Sequence, residues 1–163
     1  MKFTELPLSG AFLITLELKI DQRGHFARTF CIEEFKKKGL VTHFLQCSTS
    51  FNLKKGLIRG MHFQKSPFQE TKLIRCTQGK IWDVLIDLRE SSPTFQQWHA
   101  EELSQQNGKM LYIPKGFAHG YQVLADNSEV FYMMDEMHQP KAAVEISPFS
   151  VPNLTWLLPT MES

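Results

Sequence analysis

The chain has 163 residues, of which 42% are hydrophobic and 21% charged, and its formal net charge is +1 at pH 7. This length and composition are typical of a globular protein with one core, and we expect residues 1–163 to form a single domain. The small net charge argues against a nucleic-acid-binding protein, and no segment approaches the ~18–20 consecutive apolar residues of a membrane span.

Short β-like runs separated by Gly, Pro, Asn and Asp predict an all-β fold, either an antiparallel barrel or a double-sheet jelly roll. One short helix is predicted at 32–38, near the N-terminus, and Gly39 is placed to end it. From Pro140 onward, prolines predict a C-terminal surface wrap over roughly residues 140–163. A barrel of this size can hold one small ligand in its mouth. In chain order, the predicted strands are 12–20, 42–49, 57–63, 73–77, 80–88, 97–103, 109–113, 120–124 and 129–134.

The segment Arg59-Gly60-Met61-His62 carries two side chains that could act on a ligand. Strict strand alternation would place Arg59 and His62 on opposite faces of the sheet, but Gly60 permits a bulge that turns both inward. On these residues alone, a structural histidine beside a surface arginine is the more common arrangement.

Lys72 lies on the same predicted strand face as Ile74 and Cys76, which is an unusual place for a lysine unless its amine meets an anion. The alternative is a lysine at a sheet edge, where it would oppose strand aggregation. Tyr132 is also interior, and such a tyrosine is more often structural than catalytic when taken alone. His119 follows a tight Pro-Lys-Gly corner that delivers it to the start of a strand.

The sequence predicts neither a metal nor another cofactor. It contains no Gly-rich phosphate loop and no Gly-x-Ser-x-Gly elbow. His62 has no second histidine two positions later, and isolated histidines without a suitably spaced carboxylate do not make a metal site. The cysteines are odd in number and form no Cys-x-x-Cys pair, which predicts buried, reduced thiols in a cytoplasmic protein.

A series of short motifs occurs in a fixed order between Leu8 and Met134. They are Asp21-Gln22-Arg23-Gly24-His25-Phe26, Arg59-Gly60-Met61-His62-Phe63-Gln64, Lys72-Leu73-Ile74-Arg75, Asp83-Val84-Leu85-Ile86-Asp87-Leu88-Arg89, Ser92-Pro93-Thr94-Phe95, Ile113-Pro114-Lys115-Gly116-Phe117-Ala118-His119-Gly120 and Tyr132. In this order they resemble the dTDP-4-dehydrorhamnose 3,5-epimerase family of the cupin superfamily. The resemblance implies a jelly-roll cupin, a homodimer and no bound metal.

The resemblance also implies the substrate, a nucleotide-diphosphate 4-keto sugar, and the reaction, an epimerisation in deoxysugar biosynthesis. A 4-keto group acidifies the protons at C3 and C5, so a base can remove one and an acid can return a proton to the opposite face of the enolate. The implied base is His62, the acid is Tyr132, and Lys72 stabilises the enolate oxygen. The implied diphosphate ligands are Arg59 and Arg23. The other implied substrate-binding residues are Phe26, Gln46, His119 and His138.

The chain departs from the family pattern on the substrate side. Arg28 replaces a glutamate, and Met137-His138 stand where the family has two tyrosines. The family's base histidine is oriented by an aspartate in the C-terminal tail, for which the sequence shows no counterpart, and Asp83 is the candidate substitute. Three functions stay open: an epimerase acting at C3, C5 or both, a keto-sugar isomerase on the same scaffold, and a non-catalytic sugar-nucleotide-binding protein.

Overall fold

The computed structural model describes residues 1–155 and 157, and it confirms the predicted antiparallel all-β architecture with one short helix. No helix among these residues has the length and apolar character needed to cross a membrane. The elements in chain order are β1 (Lys2–Glu5), β2 (Phe12–Thr15), β3 (Lys19–Asp21), β4 (Gly24–Phe26), α1 (Ile32–Lys37), β5 (Gln46–Asn52), β6 (Ile58–Gln64), β7 (Lys72–Gln78), β8 (Lys80–Asp87), β9 (Trp98–Ser104), β10 (Lys109–Ile113), β11 (Phe117–Val123), β12 (Ser128–Met134), β13 (Ala143–Glu145) and a short 3-10 helix (Pro148–Ser150).

The strands form two large sheets that face each other and one separate hairpin. The six-stranded sheet has the order β1-β2-β10-β7-β12-β5, and the five-stranded sheet has the order β13-β6-β11-β8-β9. Within the described part of the chain, strands β3 and β4 pair only with each other, so they form a hairpin outside both sheets. This arrangement leaves the hairpin exposed and encloses the space between the two large sheets.

Alternating apolar side chains from the two large sheets meet between them and form the central core. Leu111 and Val130 come from the six-stranded sheet, and Leu85 and Val123 come from the five-stranded sheet; all four are completely buried. A strand with one face on such a core keeps its register, because a slip of one residue would turn its apolar side chains out to solvent. The central core therefore fixes which side chains point into the space between the sheets.

The outer face of each large sheet is covered by a different part of the chain. Helix α1 covers the six-stranded sheet through Phe35, which is completely buried and packs edge-to-face against Phe30. On the five-stranded sheet, Trp82, Val84 and Ile86 share one face of β8, and this face packs against residues 146–154. Both helix termini carry complementary charge, with glutamates in the first turn and lysines in the last.

Several predicted boundaries differ from the structure. The predicted strand 12–20 is divided between two strands, since β2 ends at Thr15 and β3 begins at Lys19; the Leu16 amide still donates to the Gly108 carbonyl before the chain leaves the sheet. Residues 143–145 of the predicted wrap form β13, an edge strand on β6. The wrap was predicted to extend over residues 140–163, and residues 156 and 158–163 lie outside the described residues.

The prediction of buried thiols holds for Cys76 but is wrong for Cys31 and Cys47.

Candidate active site

A cavity of about 540 Å³ lies at the end of the barrel where β5, β7 and β12 face β6 and β13. A recess of about 160 Å³ adjoins it on the side of β11. His62, Lys72 and Tyr132 line both spaces. The structure therefore brings the three predicted catalytic side chains together, although β6, β7 and β12 are far apart in the sequence.

A bulge in β6 delivers Arg59 and His62 to the same recess. His62 pairs with His119 of β11, and Arg59 pairs with Tyr121, so three steps along β6 match two steps along β11. Gly60 permits this geometry, because its φ is +99° and a Cβ there would lie 2.6 Å from the His119 carbonyl oxygen. The predicted bulge is confirmed.

His62 is a half-exposed imidazole whose nearest carboxylate belongs to Glu145 of β13. The two residues are directly opposite in the β6–β13 register, and His62 Nε2 lies 3.6 Å from Glu145 Oε1. Burial lowers the pKa of His62, and the nearby Glu145 carboxylate opposes this effect. Because its pKa is lowered from the ordinary value for histidine, the imidazole favours the neutral form, which is the form that a general base requires.

Asp83 orients His119 and not His62, which corrects its suggested role. Both Asp83 carboxylate oxygens lie 2.9 Å from His119 Nε2, and the aspartate is completely buried. The strand order explains the pairing, because β11 lies between β8 and β6 and places His119 between Asp83 and His62. Burial raises the pKa of Asp83, and the contact with His119 opposes that rise.

The Lys72 amine meets an anion, as its position in the sequence suggested, but the anion belongs to the protein. Lys72 Nζ lies 3.0 Å from Glu70 Oε1, and both side chains are nearly buried. Glu70 also lines the larger cavity. Sequence reasoning missed Glu70, although a carboxylate two residues before an interior lysine was an available signal.

Tyr132 lies on β12, opposite His62 across the cavity between the two sheets. The described residues provide no hydrogen-bond partner for its hydroxyl group, and Tyr132 lines both the cavity and the recess. Since a phenol in a protein interior normally has a partner, this hydroxyl is available to a ligand.

A chain of polar side chains that the sequence did not reveal continues the recess. Arg59 Nε donates to Asn52 Oδ1 at 2.7 Å, and the Tyr121 hydroxyl donates to Ser50 Oγ at 2.9 Å. Asn52 Nδ2 lies 3.4 Å from the Tyr121 hydroxyl and joins the two pairs. Strand alternation was an available signal, because Ser50 and Asn52 share a face of β5 with Gln46.

Of the other predicted binding residues, Gln46 and His138 line the cavity and His119 lines the recess. Gln46 Oε1 accepts a hydrogen bond of 2.7 Å from the His138 amide. Arg23 and Phe26 lie elsewhere, on the β3–β4 hairpin, where the Arg23 side chain is 84% exposed and forms an ion pair with Asp21. One chain alone therefore does not bring Arg23 and Phe26 to the cavity.

Among the described residues, no three His, Cys, Asp or Glu side chains converge in a way that could hold a metal ion. The carboxylates near the cavity have other contacts: Asp83 contacts His119, and Glu70 contacts Lys72. The arrangement instead offers a neutral imidazole, a phenol and an ammonium group around one cavity. These groups can take a proton, give a proton and stabilise an oxyanion.

Comparison with known proteins gives the same family at the level of sequence and of structure. A family model described as dTDP-4-dehydrorhamnose 3,5-epimerase matches residues 5–160. The dTDP-4-dehydrorhamnose 3,5-epimerase of Methanothermobacter thermautotrophicus is 39% identical over 140 residues, which are 86% of this chain and 75% of that protein.

Solved structures match the whole fold. The dTDP-4-dehydrorhamnose 3,5-epimerase of Bacillus anthracis, solved with TDP and PPi bound, has a TM-score of 0.92 and 36% identity, covering 99% of this chain and 91% of that one. A 4-keto-6-deoxy sugar epimerase from the novobiocin gene cluster of Streptomyces spheroides has a TM-score of 0.93 and 26% identity, covering 98% and 81% of the two chains.

Proposed function

The chain belongs to the dTDP-4-dehydrorhamnose 3,5-epimerase family, and we propose that it epimerises a nucleotide-linked 4-keto-6-deoxy sugar at C3, C5 or both. It is an isomerase of the epimerase class that acts in deoxysugar biosynthesis. The observation that carries the proposed chemistry is the convergence of His62, Lys72 and Tyr132 on one cavity.

The two sheets supply the base and the acid from opposite sides. His62 lies on β6 of the five-stranded sheet, and Tyr132 lies on β12 of the six-stranded sheet. A sugar ring between the sheets would therefore present one face to the imidazole and the other to the phenol. Inversion requires this arrangement, because the proton must leave one face of the carbon and return to the other.

Lys72 would stabilise the enolate that forms between the two proton transfers. When His62 removes the proton from C3 or C5, negative charge develops on the C4 oxygen of the sugar. A fixed ammonium group that contacts this oxygen stabilises the charge more in the transition state than in the ground state, which lowers the barrier.

The nucleotide diphosphate would bind at the Arg59 side of the recess. The Arg59 Nε group is already bound by Asn52, so the terminal nitrogens of its guanidinium remain for a diphosphate. His119, Gln46 and His138 would contact the sugar and nucleotide. The TDP in the Bacillus anthracis relative supports a site for a nucleoside diphosphate in this family.

We further propose that the chain acts as a homodimer in which Arg23 and Phe26 reach the substrate in the partner's cavity. The β3–β4 hairpin supports this proposal, because Ile20 is 75% exposed and Phe26 is 63% exposed on it.

Residues 1–163 would work as one domain, since both large sheets contribute to the same core. The three free thiols favour the cytoplasm, where cysteines stay reduced.

The proposed reaction can be tested by NMR in deuterium oxide with dTDP-4-keto-6-deoxyglucose as substrate. We expect the wild type to incorporate deuterium at C3, at C5 or at both, because each deprotonated carbon is reprotonated from groups that exchange with solvent. His62→Ala should abolish the incorporation. His43→Ala is the matched control, because His43 is an exposed histidine outside the cavity and its loss should change nothing.

The other functions predict different results in this experiment. Binding of the substrate without any exchange would indicate a sugar-nucleotide-binding protein. Exchange accompanied by movement of the carbonyl group would indicate a keto-sugar isomerase. If neither binding nor exchange occurs with dTDP-, CDP-, GDP- and UDP-linked 4-keto sugars, the proposed function is wrong.

A further inference from the structure

We propose that Glu70 is a positioning residue that holds the Lys72 ammonium group in place for the enolate oxygen, an inference that rests on the proposed epimerase function. The contact is direct, since Lys72 Nζ lies 3.0 Å from Glu70 Oε1. Among the described residues, no other carboxylate lies within ion-pair distance of this amine. Both residues line the cavity that also contains His62 and Tyr132.

The surroundings of Lys72 make such a partner necessary. The Lys72 side chain is only 12% exposed, and it shares the recess with Arg59 and His62. An ammonium group that is removed from water and placed near a second cation is unfavourable unless it is paired. A lysine also has a flexible four-carbon stem, so without a fixed partner its amine would occupy several positions.

Glu70 is itself held in place by a buried residue. Gln64 Nε2 donates to Glu70 Oε2 at 3.2 Å and to the carbonyl oxygen of Phe68 at 3.0 Å. Gln64 Oε1 accepts a hydrogen bond of 2.6 Å from the backbone N–H of Gln139. Gln64 is only 4% exposed and lies at the end of β6, two residues after His62. The strand that carries the base thus also fixes the carboxylate that contacts the lysine.

The geometry leaves Lys72 able to act on substrate. An ammonium group has three hydrogens, and the contact with Glu70 uses one of them. The other two remain for the sugar oxygen. Because the amine is already oriented before the reaction begins, it does not have to reorganise while charge develops. Removal of Glu70 should therefore affect the chemical step more than substrate binding.

The test compares steady-state kinetics and solvent-deuterium exchange for wild type, Glu70→Gln, Glu70→Asp and Lys72→Met. We expect Glu70→Gln to lower kcat about tenfold to a hundredfold, the range that displacement of a catalytic group produces, while KM stays within about threefold. Glu70→Asp keeps the charge, so its kcat should lie between those of the wild type and Glu70→Gln. Glu102→Gln is the matched control, because it removes the carboxylate of an ion pair with Lys80 that lies outside the cavity.

A double-variant comparison separates positioning from a merely structural role. If Glu70 acts through Lys72, adding Glu70→Gln to Lys72→Met should cause no further loss of kcat. An equal loss in both backgrounds would overturn the inference, and so would an unchanged kcat in Glu70→Gln. If Glu70→Gln does not fold, as judged by circular dichroism, Glu70→Asp carries the test, and an unchanged kcat in that variant overturns the inference. An inactive wild type would instead refute the proposed function.

Discussion

His62 shows how one side chain is adjusted by two opposing effects. Burial lowers the pKa of its imidazole, and the Glu145 carboxylate at 3.6 Å raises it. In its proposed role as the base, His62 accepts a proton only as the neutral imidazole, so kcat/KM should fall as the pH falls through this pKa. This proposed role predicts that Glu145 sets part of the position of the acid limb in the rate profile.

Glu145→Gln should move this acid limb to lower pH. The substitution removes a negative charge that favours the protonated imidazole, so the pKa of His62 should fall further below its usual value. The measurement is kcat/KM as a function of pH, together with an NMR titration of the His62 ring. Glu90→Gln removes a charge from an exposed glutamate and should leave the limb unmoved. An acid limb that stays in place in Glu145→Gln would show that the two side chains do not interact in solution.

At the scale of single residues, the sequence predicted the three proposed catalytic residues but not the side chains that they contact. The motifs named His62, Lys72 and Tyr132, and the structure placed all three at one cavity. The partner of His62 was harder to predict, because it comes from strand register and not from sequence spacing. Strand register brings Asp83 into contact with His119. It also brings Glu145 to His62 from the edge strand β13, which the surrounding prolines made hard to predict from the sequence.

At the scale of the element, β6 depends on a single glycine. Gly60 has a φ of +99°, and a Cβ at this position would lie 2.6 Å from the His119 carbonyl oxygen and 2.8 Å from Gly120 Cα. Both neighbours are backbone atoms of β11, so neither can move without disturbing the strand pair. The close contact is what allows Arg59 and His62 to face the same recess.

Gly60→Ala should lower the free energy of unfolding by about 3 kcal/mol or more, because it combines backbone strain with a steric clash. Urea denaturation followed by tryptophan fluorescence measures the change. Gly39→Ala is the control for backbone strain alone: its φ is +69°, but a Cβ there would meet no atom within 4 Å. We expect Gly39→Ala to cost about 1 kcal/mol. Equal costs for the two variants would contradict the close approach of β6 and β11.

The elements that pack on the central core were predictable, and the short edge strands β1 and β13 were not. The predicted strand 109–113 matches β10 residue for residue, and the predicted helix differs from α1 by one residue. The two faces of β10 pack against two different cores, so its side chains are mostly apolar and the strand is easy to predict from the sequence. The edge strands β1 and β13 were missed, because few of their side chains are buried and backbone pairing defines them.

At the scale of the whole molecule, the barrel divides the proposed reaction between its sheets. The five-stranded sheet carries His62 and the His119–Asp83 pair, and the six-stranded sheet carries Lys72 and Tyr132. The proposed base and acid are thus held on opposite walls by a common core. The one part of the proposed site that this division does not supply is the pair Arg23 and Phe26, which lie on the exposed hairpin.

If the hairpin of one subunit completes the cavity of the other, two inactive variants should restore each other. His62→Ala removes the proposed base, and Arg23→Ala removes a proposed diphosphate ligand. In a mixed dimer, the cavity of the Arg23→Ala subunit keeps its own His62 and receives an intact Arg23 from its partner. Each mixed isologous dimer should therefore have one intact cavity out of two and recover about half of wild-type activity.

The measurement is epimerase activity after co-expression of the two variants with different affinity tags and isolation of the doubly tagged dimers. Light scattering of the wild type gives the oligomeric state independently. Co-expression of His62→Ala with Lys72→Met is the informative control, because both residues line the cavity of a single chain. That mixture would leave every cavity with one defect, so it should recover nothing. Equal absence of recovery in both mixtures would show that Arg23 does not complete the cavity of the partner subunit.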